Sequence, residues 1–301
     1  MRRFLPIFGL IFLTACGGEN IDYATAELEQ VFRPYELEKG EVLYKISGVE
    51  EGKEYLIFDN WGHRQKRARD TKAGSTVIKT LKIQTPSDIV SYKLSCECVK
   101  YRIKDEPGVM YYDREKGQYV KGNPYCIKKN KVVKEVNGIK QLTCAKYVWE
   151  GSKRPNALYV VLHEIWDTAS AETRRKLGPV IRGLSKEMSL GFLYASMIEK
   201  LPIKKKIAGI DTEVYKVYNK DIRIFLWKNI ILGSEVLTGG KKLLVEAEKV
   251  NKNPRIDEST FQIPPDFPPP VIYDTASRIF KNEKYVAQQI VDIYLKEKKA
   301  E

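Results

Sequence analysis

Four cysteines, Cys96, Cys98, Cys126 and Cys144, are the residues of this chain best suited to covalent or metal chemistry. In an oxidising compartment an even number reads first as two disulfides, and four cysteines leave three pairings open. Cys96 and Cys98 sit two apart in an expected strand, so both point to one face. Bridges from each of them to Cys126 and Cys144 are then more comfortable than a cramped link between the two. A four-thiolate zinc or copper site is the sharper alternative. Paired zinc cysteines usually have two residues between them, and here there is one. The two histidines, His63 and His163, stand in no His-Glu-x-x-His or Cys-x-x-Cys-His pattern. His163-Glu164 reads as a packed or surface pair on a strand. The chain has no Gly-x-Ser-x-Gly elbow and no phosphate loop. The expectation is a protein that is not an enzyme and that uses no cofactor and no metal.

The first residues decide the compartment. Met1-Arg2-Arg3 is basic, Phe4 to Leu13 is apolar and uncharged, and Leu13-Thr14-Ala15-Cys16 follows directly. That stretch falls short of the about 20 apolar residues a spanning helix needs, and its layout is that of a secretory signal. The Leu-Thr-Ala-Cys run resembles the bacterial lipobox. The resemblance implies diacylglycerol transfer to the Cys16 thiol, cleavage before it, and acylation of the new amine. Two or three acyl chains anchor stably, because each buried methylene contributes about 0.8 kcal/mol. Gly17-Gly18-Glu19-Asn20 puts no aspartate directly after the cysteine, which favours the outer membrane, facing the periplasm, over the inner membrane.

Export changes how the charge is read. Arg2 and Arg3 leave with residues 1–15, so 50 basic groups face 39 acidic ones, a surplus of +11. Nucleic acid is then excluded as a partner, and the anionic surfaces at hand are lipid phosphates, lipopolysaccharide and wall polymers. The cations are scattered, as at Arg64, Lys66, Arg67 and Arg69, at Lys128, Lys129 and Lys131, and at Lys204 to Lys206. No single stripe emerges.

Ala24 to Phe32 reads as a short helix closed by Pro34. Glu41 to Ser47 and Glu54 to Phe58 read as a hairpin around Gly48 to Gly52, and Val77 to Ile83 and Ile89 to Ile103 read as further strands. Residues 104–144 read as an elaborated hairpin held by the cysteines. Ala157 to Glu164 reads as a compact apolar strand. From Asp167 helical stretches run to about Leu201, broken near Gly178-Pro179, with Leu184, Met188, Phe192, Met197 and Leu201 on one face. Five strands follow: Lys205 to Ile207, Glu213 to Tyr218, Ile222 to Trp227, Ile230 to Leu237 and Leu243 to Val250. The proline-rich Phe261 to Pro270 cannot sit inside a sheet and ends the domain as an extended arm. Asp274 then caps an amphipathic helix with Ile279, Val286, Ile290 and Ile293 on one face.

Lys206-Ile207-Ala208-Gly209, Val214-Tyr215, Ile224-Phe225-Leu226-Trp227, Leu232, Gly239-Gly240, Glu246-Ala247 and a closing Phe261-Gln262-Ile263-Pro264 form a rhythm of strands. Over residues 202–267, with a fainter echo at 41–60, it resembles LolA/LolB-like carriers and lipoproteins of the outer-membrane lipoprotein-sorting type. The cysteine-bearing stretch departs from them. The resemblance implies an α+β fold, a curved antiparallel half-barrel with helices covering an apolar concave face. Phe192, Tyr194, Phe225 and Trp227 are the candidates for its lining, with ordinary core packing as the competing role. The expected organisation is a signal peptide at 1–15, a lipidated tether and short helix at 16–34, a half-barrel at 35–270 with an insertion at about 96–144, and a C-terminal helix at 271–301. Three functions stay open. They are a membrane-anchored module binding lipid or another hydrophobic ligand, an envelope assembly protein with a filled core that docks envelope proteins through its C-terminal helix, and a thiol redox or metal protein.

Overall fold

Alternating apolar and polar residues give most of this chain period-2 character, and the outcome is a mixed α+β protein built on a large open curved sheet, with four helices among the described residues. The computed structural model describes residues 21–136, 139–189, 198–217 and 221–300. The first five strands are β1 (Gly40–Gly48), β2 (Glu51–Asp59), β3 (Arg64–Ala73), β4 (Thr76–Gln84) and β5 (Asp88–Cys96). They form an uninterrupted antiparallel meander. The β1–β2 turn needs glycine at Gly48, where φ is +106° and an added Cβ would lie 1.9 Å from the Lys242 carbonyl oxygen.

Next come β6 (Cys98–Lys104), β7 (Val109–Asp113), β8 (Gln118–Lys121), β9 (Asn123–Lys129), β10 (Lys131–Val136), β11 (Ile139–Cys144) and β12 (Tyr147–Pro155). After two long helices follow β13 (Ile198–Ile207), β14 (Ile210–Val217), β15 (Ile222–Trp227), β16 (Ile230–Thr238), β17 (Lys241–Asn251) and the short β18 (Val271–Tyr273). The main sheet runs β13-β14-β15-β16-β17-β1-β2-β3-β4-β5-β12-β18-β7-β8. The N-terminal meander therefore lies in the middle. The C-terminal meander joins one side through β17 and β1, where Glu41 pairs with Asn251. The other side is completed by β12, antiparallel to β5, and by β18, parallel to β12. The expected insertion is thus divided: β7 and β8 finish the main sheet, whereas β6·β9 and β10·β11 form separate two-stranded ribbons.

Four helices gather against one another: α1 (Leu28–Val31), α2 (Ala157–Thr168), α3 (Ala171–Ser189) and α4 (Arg278–Ala300). Phe32, Tyr159, Leu162, Trp166, Ile181, Leu184, Phe280 and Val291 form their common buried cluster. A second cluster, with Val42, Tyr44, Leu56, Phe58, Val214, Phe225 and Leu232, fills the region where β13–β17 curl beside β1 and β2. Register shifts in β13/β14, β15/β16 and β1/β17 bend the strands there. The third cluster, Leu81, Ile83, Val90 and Tyr92, lies on the middle strands and is covered by the proline-rich segment. Phe267 stacks on Trp149 with ring centroids 4.7 Å apart, and the Tyr92 hydroxyl donates to the Pro268 carbonyl at 2.8 Å. That segment is a lid over an apolar sheet face, and it leads into β18, which rejoins the main sheet, where an end to the domain was expected.

Several local expectations change. Ala157 to Glu164 is helical, the first two turns of α2, so His163-Glu164 lies on a helix. A short apolar run has no periodicity that separates a buried strand from a buried helix, and Val161 and Leu162 are fully buried against the other helices. The first helix is shorter than 24–32. α3 passes through Gly178-Pro179 unbroken, and an added Cβ at Gly178 would meet the Tyr23 ring at 2.2 Å. Leu201 lies in β13, with Pro202 accommodated at a bulge between Leu201 and Lys204. The C-terminal segment begins with β18, and Ser277, not Asp274, caps α4 by accepting the Phe280 N–H at 3.3 Å. Asp274 instead organises the preceding turn, accepting the Ala276 N–H at 2.7 Å. The buried face of α4 is Phe280, Ala287, Val291 and Tyr294, whereas Ile279, Val286 and Ile293 are exposed.

Candidate functional site

The cysteines mark where the chain leaves the sheet. Cys96 ends β5 and Cys98 begins β6, and the backbone breaks from the main sheet between them, at Glu97. Glu97 is tied on both sides: its N–H donates to the Lys146 carbonyl at 2.8 Å and its carbonyl accepts the Asn130 N–H at 2.7 Å. Hydrogen bonds from Lys146 and then from Asn130 hold its carboxyl below the ordinary glutamate range. Cys96 bridges to Cys144, with Cα atoms 5.5 Å apart, and Cys98 to Cys126, 5.7 Å apart. Both separations fall in the normal span of a disulfide. All four of these thiols are paired in the two bridges. Among the described residues no group of three or more His, Cys, Asp or Glu side chains could hold a metal.

The two bridges pin the two ribbons at their roots. Register places Tyr101 opposite Cys126 and Ile103 opposite Pro124 on one face of β6·β9, with Tyr125 and Ile127 on the other. In β10·β11, Val133 faces Leu142. These side chains are not covered: Tyr101 is 55% exposed, Val133 64% and Leu142 62%. β6 and β9 carry Lys100, Arg102, Lys104, Lys128 and Lys129 and no acid, and β10 and β11 carry Lys131, Lys134 and Lys140 against Glu135.

Phe225 and Trp227, both proposed as lining, reach the same apolar cluster by different depths. Phe225 is 2% exposed, and the Lys205 ammonium lies 4.2 Å from its ring centroid. It is core. Trp227 is half-buried at the margin, with the Lys252 and Lys228 ammonium groups 5.1 and 5.8 Å from its ring. Phe192 and Tyr194, and likewise Cys16, lie outside the described residues.

Register puts a polar set on the sheet face opposite the proline-rich lid. Leu56 pairs with Arg67 and Arg67 with Lys82. Glu54, 6% exposed, accepts from Arg67 at 2.5 Å and lies 3.5 Å from Arg69, which also grips Glu50 through two bonds. On the same face Arg154 of β12 donates to Glu283 of α4 at 2.7 Å. Lys82 is exposed on this face, and partial desolvation among its neighbours, then the positive charges of Arg154 and Arg67, lower its ammonium pKa. These contacts make that face polar and largely self-compensated at Glu54 of β2 and across β3 and β4, beside the apolar cluster that takes in Leu56 and Phe58.

The two histidines sit in different settings. His63 is fully buried, its Nε2–H donating to the Glu29 carbonyl at 2.8 Å and its Nδ1 accepting from the Tyr159 hydroxyl. Desolvation holds it below its ordinary pKa and therefore neutral. His163 lies at the helix surface, 3.1 Å from both Glu29 and Asp167. A surface depression of about 510 Å³ lies beside it, lined by Pro86, Ser87, Tyr159 and Val160 among others.

No protein-family model matches the chain, and no curated protein matches it. Among the described residues no helix is long and apolar enough to cross a membrane.

Proposed function

We propose that the chain is an exported, non-catalytic envelope protein, tethered at the outer membrane through a lipidated Cys16, that docks an envelope partner through α4. The observation that carries this reading is the second apolar stripe of that helix. Phe280, Ala287, Val291 and Tyr294 face the other helices, while Ile279, Val286 and Ile293, seven residues apart, stand exposed with Tyr285 beside them. A seven-residue apolar repeat is the seam that a second amphipathic helix covers. Phe225 at the centre of a filled cluster favours a scaffold over a carrier that engulfs cargo. A photo-crosslinking residue at Val286 tests it in cells. The expected result is a crosslinked envelope polypeptide that disappears with Ile279→Glu/Ile293→Glu. A crosslink confined to a second copy, or none, overturns the reading. Release of the chain from membranes by Cys16→Ser is the separate test of the anchor.

A second reading is that the large curved sheet is a half-barrel holding lipid or another hydrophobic ligand, as the LolA/LolB-like resemblance implies, with helices over its concave side. Half-buried Trp227 at the margin of the curled cluster favours it. Native mass spectrometry of the purified chain decides: co-purified lipid lost on Trp227→Ala supports it, and a ligand-free mass sinks it.

A further inference from the structure

Two-stranded ribbons are marginal in water by themselves. This chain holds two of them outside its cores with two disulfides. The disulfides do not serve to bury anything: Val99, Tyr101 and Ile103 of β6, Tyr125 and Ile127 of β9, and Val133 and Leu142 of the second ribbon all remain exposed. In β6·β9 the apolar groups project from both faces, so a rigid protein patch against one face would leave the other in water, whereas lipid can close around the ribbon. Interleaved with them are eight cations against one acid, far above the balance of the chain as a whole. A solvated charged face would carry the lysines without the tyrosines and branched aliphatics, and a protein-binding patch would not need so one-sided a charge.

We infer that the disulfide-locked arm formed by β6·β9 and β10·β11 is a docking surface for a bilayer rich in anionic phospholipid headgroups. The occupant follows from charge complementarity joined to amphipathic side chains. Tyrosine rings sit at the headgroup boundary, lysines lay their methylene stems along apolar surface while their ammonium groups reach phosphate, and aliphatic tips enter the outer acyl region. The ribbons lie at the interface and do not span, because their open edges would leave backbone groups unpaired in hydrocarbon. The disulfides keep both ribbons extended at their roots, so that the apolar and cationic groups are presented together before contact. This role is independent of the Cys16 tether and of the α4 seam.

The test uses the chain from residue 17 onward, which lacks the proposed lipid site and contains every element described above. Flotation is measured with phosphatidylcholine vesicles and with vesicles of phosphatidylcholine and phosphatidylglycerol at 7:3. Binding is expected to the anionic vesicles only, and to weaken about tenfold or more on raising the salt from 0.1 to 0.5 M, since surface attraction falls off within a Debye length. Lys128→Glu/Lys129→Glu/Lys131→Glu should reduce binding about a hundredfold or more, at about 1 kcal/mol per lysine, and Val133→Asp/Leu142→Asp should abolish it. Both variants should keep the parent circular dichroism and no free thiols; one that loses them is replaced by the single change Tyr101→Ser. Equal binding to neutral vesicles, no binding to either, or binding untouched by the folded arm variants overturns the inference. So does a dimer in sedimentation that Val133→Asp/Leu142→Asp dissociates, which would assign the surface to a second copy.

Discussion

The Tyr159 hydroxyl donates to His63 Nδ1 inside the protein, joining the turn after β2 to helix α2. His63 donates its single ring N–H, at Nε2, to the Glu29 carbonyl, so one neutral imidazole links the sheet, α2 and the short α1. Phe32 packs edge-on against the Tyr159 ring, centroids 5.6 Å apart. The helical cluster and the sheet otherwise keep largely separate cores, so this contact is a principal coupling between them.

Tyr159→Phe leaves the buried His63 Nδ1 without its donor. The expected cost is about 1–3 kcal/mol, the penalty of an unsatisfied buried polar group. Urea unfolding of the two proteins checks this, and an unchanged midpoint would show that the contact contributes nothing.

The same imidazole predicts a pH dependence. Burial lowers the His63 pKa in the folded state below the 6.5 of an exposed histidine. Above pH 6.5 both states carry it neutral and its contacts are fully available. As pH falls below 6.5 the unfolded chain takes up the proton first, and stability is lost until the folded pKa is passed. Thermal midpoints between pH 7.5 and 5 should fall more steeply in the parent than in His63→Gln. Parallel curves would refute it.

Phe267→Ala should uncover Trp149 and Tyr92, against which the Phe267 ring lies at 4.7 and 4.8 Å. Because the ring is half-buried, about 1–3 kcal/mol is expected, at the lower end of aromatic truncations. Tryptophan emission should shift to the red. Phe225→Ala, in a filled cluster, should cost more, about 3–5 kcal/mol.

Thiol titration of the unreduced chain from residue 17 should find none of the four cysteines free. Cys98→Ser/Cys126→Ser should expose β6 and β9 to limited proteolysis while the main sheet persists, because Cys98 is the one buried residue of the two ribbons among those whose burial is described. Loss of the whole fold would instead mean that the ribbon supports the sheet.

The legible parts of the fold were those written in local spacing. Gly48 to Gly52 between two alternating runs specified the β1–β2 hairpin, and the alternation of Val77 to Ile83 specified β4. The thiol chemistry of two disulfides was equally readable from even cysteine count and an expected export signal. Illegible were the segments whose pattern serves two structures. Ala157 to Glu164 opens with six apolar residues, Ala157 to Leu162, and fits a buried strand or a buried helix until its neighbours are known. In α4 both Ile279 and Phe280 begin apolar rows, and periodicity does not say which row is covered.

Sequence by itself determined the hairpins, the proline-rich break and the chemical inventory of cysteines and cations, because each depends on residues within a few positions of one another. Tertiary structure decided that β1 pairs with β17, that Cys96 joins Cys144 while Cys98 joins Cys126, and that the ribbons carry their apolar groups uncovered. Those outcomes depend on where segments up to about two hundred residues apart come to lie. Their free energies come from burial and pairing that no local window contains.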